Sequence, residues 1–205
     1  MNEKRKSLKF GPLGSDTAHA CIDMQRLFGE KTQWFTPDLA GIVGATARLI
    51  EHAPARTIFT RFRTPATVDD AMGHWRPYYE RYTEVLAAKL PDDMFGVIKE
   101  YQRFVPPAVE IDKITYNAFE APDFGRMLER WGTKALVFSG VETDVCVLGT
   151  MMGAVDRGFR VVVASDAVAS GNPKSHQAAL DIVFPRYEMQ IEVADTDTIL
   201  ANWKP

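Results

Sequence analysis

Short β-branched or apolar runs, each separated from the next by a stretch of helical periodicity, constrain this chain more than any other feature. They occupy residues 18–22, 56–60, 134–138, 159–163 and 189–193, with a weaker sixth near 109–111. Runs of this length and composition read as strands. One helical pattern opens at Pro37-Asp38 and carries Leu39, Ile42, Val43, Ala47, Leu49 and Ile50 toward His52. A second opens at Pro122-Asp123, continues through Phe124, Met127 and Leu128, and is closed by Gly132. A third follows Thr143-Asp144 and ends near Gly158; a fourth starts at Pro173 and includes Ala178, Ala179, Ile182 and Val183. Proline in the first turn and glycine past the end are physically sensible helix boundaries. Strands alternating with helices imply an α/β fold, with a six-stranded, mostly parallel sheet covered on both faces. In such sheets the ligand crevice lies beyond the carboxyl ends of the strands.

Length and composition narrow the class. At 205 residues the chain is expected to form one domain over 1–205, with residues 1–17 as an N-terminal tail and Lys4-Arg5-Lys6 solvated. Hydrophobic residues at 46% and charged residues at 25% are a globular balance. A formal net charge of −3 gives no electrostatic reason to expect nucleic acid as a partner. No apolar run approaches the ~20 residues of a membrane span, and no apolar segment of a secretory signal follows the charged start. Two cysteines, Cys21 and Cys146, are too few for a disulfide framework, so a cytoplasmic protein is expected.

Three chemically capable side chains fall just past expected strand ends: Asp23, Lys113 and Cys146. Taken singly, each has a bland reading, as a turn cap, a surface lysine and a small core residue. The surroundings of Cys146 shift the balance. Val145, Leu148, Met152 and Val155 form an apolar stripe expected to pack on the sheet, with Cys146 about 100° off its centre. Its own face continues through Gly149, Thr150 and Gly153, leaving room for another chain segment or a ligand. A cysteine at a helix start has its thiolate favoured by the helix dipole, and Lys113 nearby would lower the thiol pKa further. Asp23 could take the proton, and the turn Gly140-Val141-Glu142 could expose backbone donors for an oxyanion.

Four segments together resemble the isochorismatase-like cysteine hydrolases. They are Cys21-Ile22-Asp23-Met24-Gln25 with Phe28, Lys113-Ile114-Thr115-Tyr116-Asn117-Ala118-Phe119, Gly140-Val141-Glu142-Thr143-Asp144-Val145-Cys146-Val147, and Ala164-Ser165-Asp166-Ala167-Val168-Ala169-Ser170. The resemblance runs from about residue 18 to 200. It implies a three-layer α/β/α sandwich and an Asp–Lys–Cys triad falling on Asp23, Lys113 and Cys146. It also implies a non-proline cis peptide at Val141–Glu142, with the N–H groups of Glu142 and Cys146 as oxyanion donors. Nicotinamidase-type members carry an Asp-x-His pair after the second strand and a further His to hold a metal. Here that segment reads Thr60-Arg61-Phe62-Arg63-Thr64-Pro65, and His19, His52, His74 and His176 show no metal-ligand spacing. No metal and no organic cofactor are therefore expected, and nicotinamide is disfavoured as substrate.

The resulting expectation is a cysteine-dependent hydrolase of a small amide, carbamoyl or ureido compound, working through a thioester. Two alternatives stay open: vinyl-ether hydrolysis with Asp23 as general acid, and a non-catalytic binding protein on the same fold. The resemblance implies self-association, to which Trp34, Phe35, Met151 and Met152 add a hint of surplus apolar surface. The stretch Gly73-His74-Trp75-Arg76-Pro77-Tyr78-Tyr79-Glu80-Arg81-Tyr82 is expected to form a lid, with a connecting helix through Val85, Leu86 and Leu90 beyond it. Phe28, Arg61, Trp75, Tyr79 and Phe119 are the candidate pocket residues, Arg61 as a holder of a substrate carboxylate or carbonyl.

Overall fold

Six strands form one all-parallel sheet: β1 (Thr17–Ile22), β2 (Thr57–Phe62), β3 (Val109–Lys113), β4 (Ala135–Val141), β5 (Arg160–Ala169) and β6 (Ile191–Ala194). Their order across the sheet is β3-β2-β1-β4-β5-β6. Residues 7–205 are described by the computed structural model of the chain; the Lys4-Arg5-Lys6 run lies outside them. Among the described residues, eight α-helices connect or flank the strands: α1 (Arg26–Gly29), α2 (Leu39–His52), α3 (Trp75–Arg81), α4 (Lys99–Gln102), α5 (Pro122–Arg130), α6 (Leu148–Asp156), α7 (Pro173–Ala178) and α8 (Thr196–Asn202).

Alternation along β4 shows how the layers form. Leu136 and Phe138 face a core shared with Phe124 and Leu128 of α5 and Met151 and Ala154 of α6. Val137 joins Leu49 of α2 and Ile199 of α8 in a second core on the other face. Both faces are thereby dry, as a parallel sheet requires. No helix among the described residues is long and apolar enough to cross a membrane.

The chain winds outward from β1 to β2 and β3, then crosses back to β4 and winds the other way. That reversal, between β1 and β4, opens a crevice at the strands' carboxyl ends. The two strands approach closely there. Gly140 has φ +104°, and a Cβ on it would lie 2.0 Å from the Ile22 carbonyl oxygen. Only glycine fits that position.

Four expectations need correction. The stretch before β1 is no loose tail from Leu8 onward: Leu8 and Leu13 are buried with Trp203, and Leu13 exchanges backbone hydrogen bonds with the C-terminal segment. On α6 the buried set is Val147, Met151 and Ala154, one position before the expected stripe, while Val145, Leu148, Met152 and Val155 are only half-buried. Both faces carry apolar residues, and a π-helical turn over Thr143–Val147 sets the phase at which the helix leaves β4. Beyond Tyr82 the chain forms two 3₁₀ turns, Thr83–Val85 and Ala87–Lys89, instead of a helix. Hydrogen bonds from Ala87 N–H to Pro65 O and from Thr64 Oγ1 to Val85 O tie this segment to the chain after β2. Finally, Met151 is fully buried and Trp34 packs within an aromatic cluster, which leaves Phe35 and half-buried Met152 of the suggested surplus surface.

Candidate active site

Asp23, Lys113 and Cys146 meet in the crevice, each delivered by a different strand end. Asp23 follows β1 in a left-handed backbone conformation, φ +48°, which aspartate tolerates better than most residues. Its N–H donates to Thr60 Oγ1 at 3.1 Å, and that hydroxyl donates back to Asp23 Oδ1 at 2.6 Å. Gln25 locks the turn from below. Its side chain accepts from Phe62 N–H at 2.7 Å and donates to the carbonyls of Phe62 and Phe95. These groups are all buried, so the pairing removes the cost of leaving polar atoms without partners.

Lys113 is the last residue of β3, opposite Phe62 of β2, and reaches back across β2 over the Phe62 ring. Its Nζ lies 2.7 Å from Asp23 Oδ2, 3.3 Å from Cys146 Sγ and 3.1 Å from the Thr115 carbonyl. The ammonium thus faces a carboxylate, a sulfur and a carbonyl. Asp23 Oδ2 makes the ion pair but no well-aligned hydrogen bond.

Burial holds the Cys146 thiol well above its ordinary pKa; Lys113 pulls it down, but Asp23 pushes it back up. Lys113 therefore lowers the thiol as expected, but desolvation outweighs that pull, and Cys146 sits within the π-turn ahead of α6. Burial alone would lower Lys113, yet the negative charge of Asp23 and of Cys146 outweighs it, and its pKa lies above the ordinary value. The Lys113 ammonium is thus favoured by its place between Asp23 and Cys146.

The small face of α6 receives protein. A Cβ at Gly149 would touch Tyr116, and one at Gly153 would come within 2.7 Å of the Asn117 side chain. Thr150 Oγ1 accepts from Ala118 N–H and donates to the Tyr116 carbonyl. The segment after Lys113 is thereby seated against the helix that follows Cys146. The peptide Val141–Glu142 is cis, as the resemblance implies. The Glu142 carboxylate accepts from Gly171 N–H at 2.7 Å and from Thr36 Oγ1 at 3.4 Å.

A cavity of about 400 Å³ opens onto Cys146. Of the five pocket candidates only Phe28 lines it, stacked on Trp34 at 5.7 Å. Trp75 and Tyr79 lie one layer behind, and Tyr78 and Tyr82 face the cavity in their place. Tyr116, Phe35 and Trp34 complete the aromatic wall. Phe119 packs elsewhere, against Phe124, Phe159 and Arg157. Arg61 is also elsewhere: it pairs with Asp112 at 2.6 Å and Glu110 at 3.0 Å on the β3 side. Strand alternation explains it, because Thr60 and Phe62 face the crevice and the residue between them must face away. The same period could have excluded Arg61 in advance. Nothing in the sequence pattern separates Tyr78 from Tyr79. Among the described residues, no three His, Cys, Asp or Glu side chains cluster as a metal site would require.

Comparison with known proteins agrees with this geometry. The Isochorismatase domain family matches residues 17–197. Nicotinamidase 3 of Arabidopsis thaliana is 30% identical over 179 residues, covering 86% of this chain and 85% of that protein. A ureidoacrylate amidohydrolase of Pseudomonas syringae pv. syringae is 34% identical over 76 residues, 37% of this chain and 31% of that protein. Among solved structures, a cysteine hydrolase from Pseudomonas syringae pv. phaseolicola superposes with a TM-score of 0.78 at 25% identity, covering 92% of both chains. The fold and the family match together make this chain a hydrolase. It belongs to the isochorismatase-like cysteine hydrolase family.

Proposed function

We propose that the chain hydrolyses a small amide, carbamoyl or ureido compound through a thioester on Cys146. It acts on carbon–nitrogen bonds other than peptide bonds. The observation that carries this reading is the contact of Lys113 Nζ with both Asp23 Oδ2 and Cys146 Sγ, the last of which lines the cavity. The amide-hydrolysing relatives add support.

Because burial raises the thiol pKa, Asp23 takes up the thiol proton as attack begins. Sγ then bonds to the carbonyl carbon, and the oxyanion is held by the N–H groups of Glu142 and Cys146. Asp23 returns its proton to the departing nitrogen, and the carbon–nitrogen bond breaks to leave a thioester. Water, deprotonated by Asp23, attacks the thioester; the acid leaves, and the proton goes back to the thiol. Lys113 stays ammonium throughout and offsets whichever neighbour is negative.

Ammonia release across a panel of small amides, with wild type against Cys146→Ala, tests the reading. Wild type is expected to turn over at least one amide and Cys146→Ala none. Vinyl-ether hydrolysis that survives Cys146→Ala would replace amide hydrolysis with acid catalysis by Asp23.

A further inference from the structure

The cavity beside Cys146 has a charge balance that amide hydrolysis by itself does not require. Its lining holds two carboxylates, Asp144 and Glu142, and no lysine, arginine or histidine. Lys113, beside Cys146, is buried and held by Asp23, Cys146 and Thr115. Arg61, which could have held an anion, is committed to Glu110 and Asp112 away from the cavity. A substrate carboxylate would therefore enter without a counter-charge and against two like charges.

Complementary features favour the opposite sign. Asp144 is half-buried and lines the cavity, and among the described residues its Oδ1 has no hydrogen-bond partner, so its carboxylate has unused capacity to accept from a ligand. Trp34, Tyr78, Tyr82 and Tyr116 line the same cavity and offer it electron-rich rings. Tyr78 lies between Trp34, at 6.1 Å between ring centroids, and Tyr82, at 4.7 Å. Rings gathered beside a carboxylate attract an ammonium group through their quadrupoles as well as through charge. Burial raises the Glu142 carboxyl above its ordinary value and the Asp144 charge adds to the rise, a repulsion that a bound cation would relieve.

We propose that the substrate is a cationic amide, whose ammonium group donates to Asp144 among the tyrosine and tryptophan rings while its carbonyl meets Cys146. The inference rests on the amide-hydrolase reading of the same cavity, and the two can fail separately. Neutral polar groups at Gln33, Asn172 and Ser175 leave the rest of the body uncharged.

Two matched series test it. The aromatic series is 4-(aminomethyl)benzamide, 4-ethylbenzamide and 4-(carboxymethyl)benzamide; the aliphatic series is 5-aminopentanamide, hexanamide and the half-amide of glutaric acid. Each is assayed for ammonia release, and benzylammonium and phenylacetate are titrated into the same protein by calorimetry. In at least one series kcat/KM is expected to favour the cation over the anion by tenfold or more, with benzylammonium binding and phenylacetate not. Asp144→Asn is expected to lower the cation-to-neutral ratio about tenfold. Tyr82→Leu, which leaves the nucleophile turn intact, is expected to lower it as well. Equal treatment of the three charge types, preference for the anion, or no binding of benzylammonium overturns the proposal. Benzylammonium binding that Asp144→Asn weakens, with no amide hydrolysed, would uphold the cation site and remove the hydrolase reading instead.

Discussion

His19 makes this protein acid-sensitive, and the size of the effect follows from its surroundings. The ring is fully buried in β1, with Nδ1 3.3 Å from Thr57 Oγ1 and Nε2 2.7 Å from Ser139 Oγ. Thr57 already spends its hydroxyl proton on the Ala53 carbonyl, so it accepts from Nδ1–H, and Nε2 accepts from Ser139. That network suits the neutral ring. Burial pushes the His19 pKa down to about 3 from 6.5. A base with a depressed folded-state pKa contributes stability that is full above the unfolded value and lost as pH falls from 6.5 toward 3. At ~1.36 kcal/mol per pH unit the whole contribution is about 5 kcal/mol, of which about 2 kcal/mol is lost between pH 7.5 and pH 5. Urea denaturation of wild type and His19→Gln at those two pH values isolates it, because other groups titrate alike in both proteins. Wild type is expected to lose about 2 kcal/mol more than the variant on acidification. Ser139→Ala, which keeps the imidazole, is expected to retain the steep dependence. Equal losses in wild type and His19→Gln would refute the reasoning.

Four further outcomes are expected. Intact-mass analysis during turnover, or after an aldehyde or iodoacetamide trap, is expected to place the adduct on Cys146; modification of Cys21, buried with its pKa pushed up to about 12, would contradict the assignment. Tyr82→Ala is expected to change kcat/KM between substrates, whereas Arg61→Ala is expected to leave that ratio alone and cost at most about 1 kcal/mol of stability in a urea melt. Exhaustive chelation is expected to leave activity unchanged, since residues 60–63 carry no ligand pair; loss of stoichiometric zinc or iron together with activity would count against it. Sedimentation at micromolar concentration is expected to show a species larger than one chain, and a strict monomer would end that expectation.

Much of the site was legible because the chemistry is carried by residue type and strand position. Asp23, Lys113 and Cys146 each stand at or just past a strand end, and a parallel sheet gathers such ends at one edge. What the strand pattern could not convey is which side chains a short helix turns inward. Tyr78 and Tyr79 are equivalent in composition and adjacent in sequence; the packing of α3 against Trp34 sends one to the cavity and buries the other. The face of α6 was ambiguous for the same reason, with apolar residues on both sides and a π-turn deciding the phase.

Sequence alone therefore determined the α/β class, the parallel sheet, the placement of Asp23, Lys113 and Cys146 at strand ends and the small face at Gly149 and Gly153. Those depend on local periodicity, on Pro and Gly boundaries and on side-chain chemistry, all of which are properties of short segments. Tertiary structure alone decided the upward direction of the Cys146 pKa, the commitment of Arg61 to Glu110 and Asp112, and the acidic, aromatic character of the cavity. Each of these is an energy between groups far apart in the chain. Desolvation and charge act through space, so their balance is settled only when the fold fixes the distances.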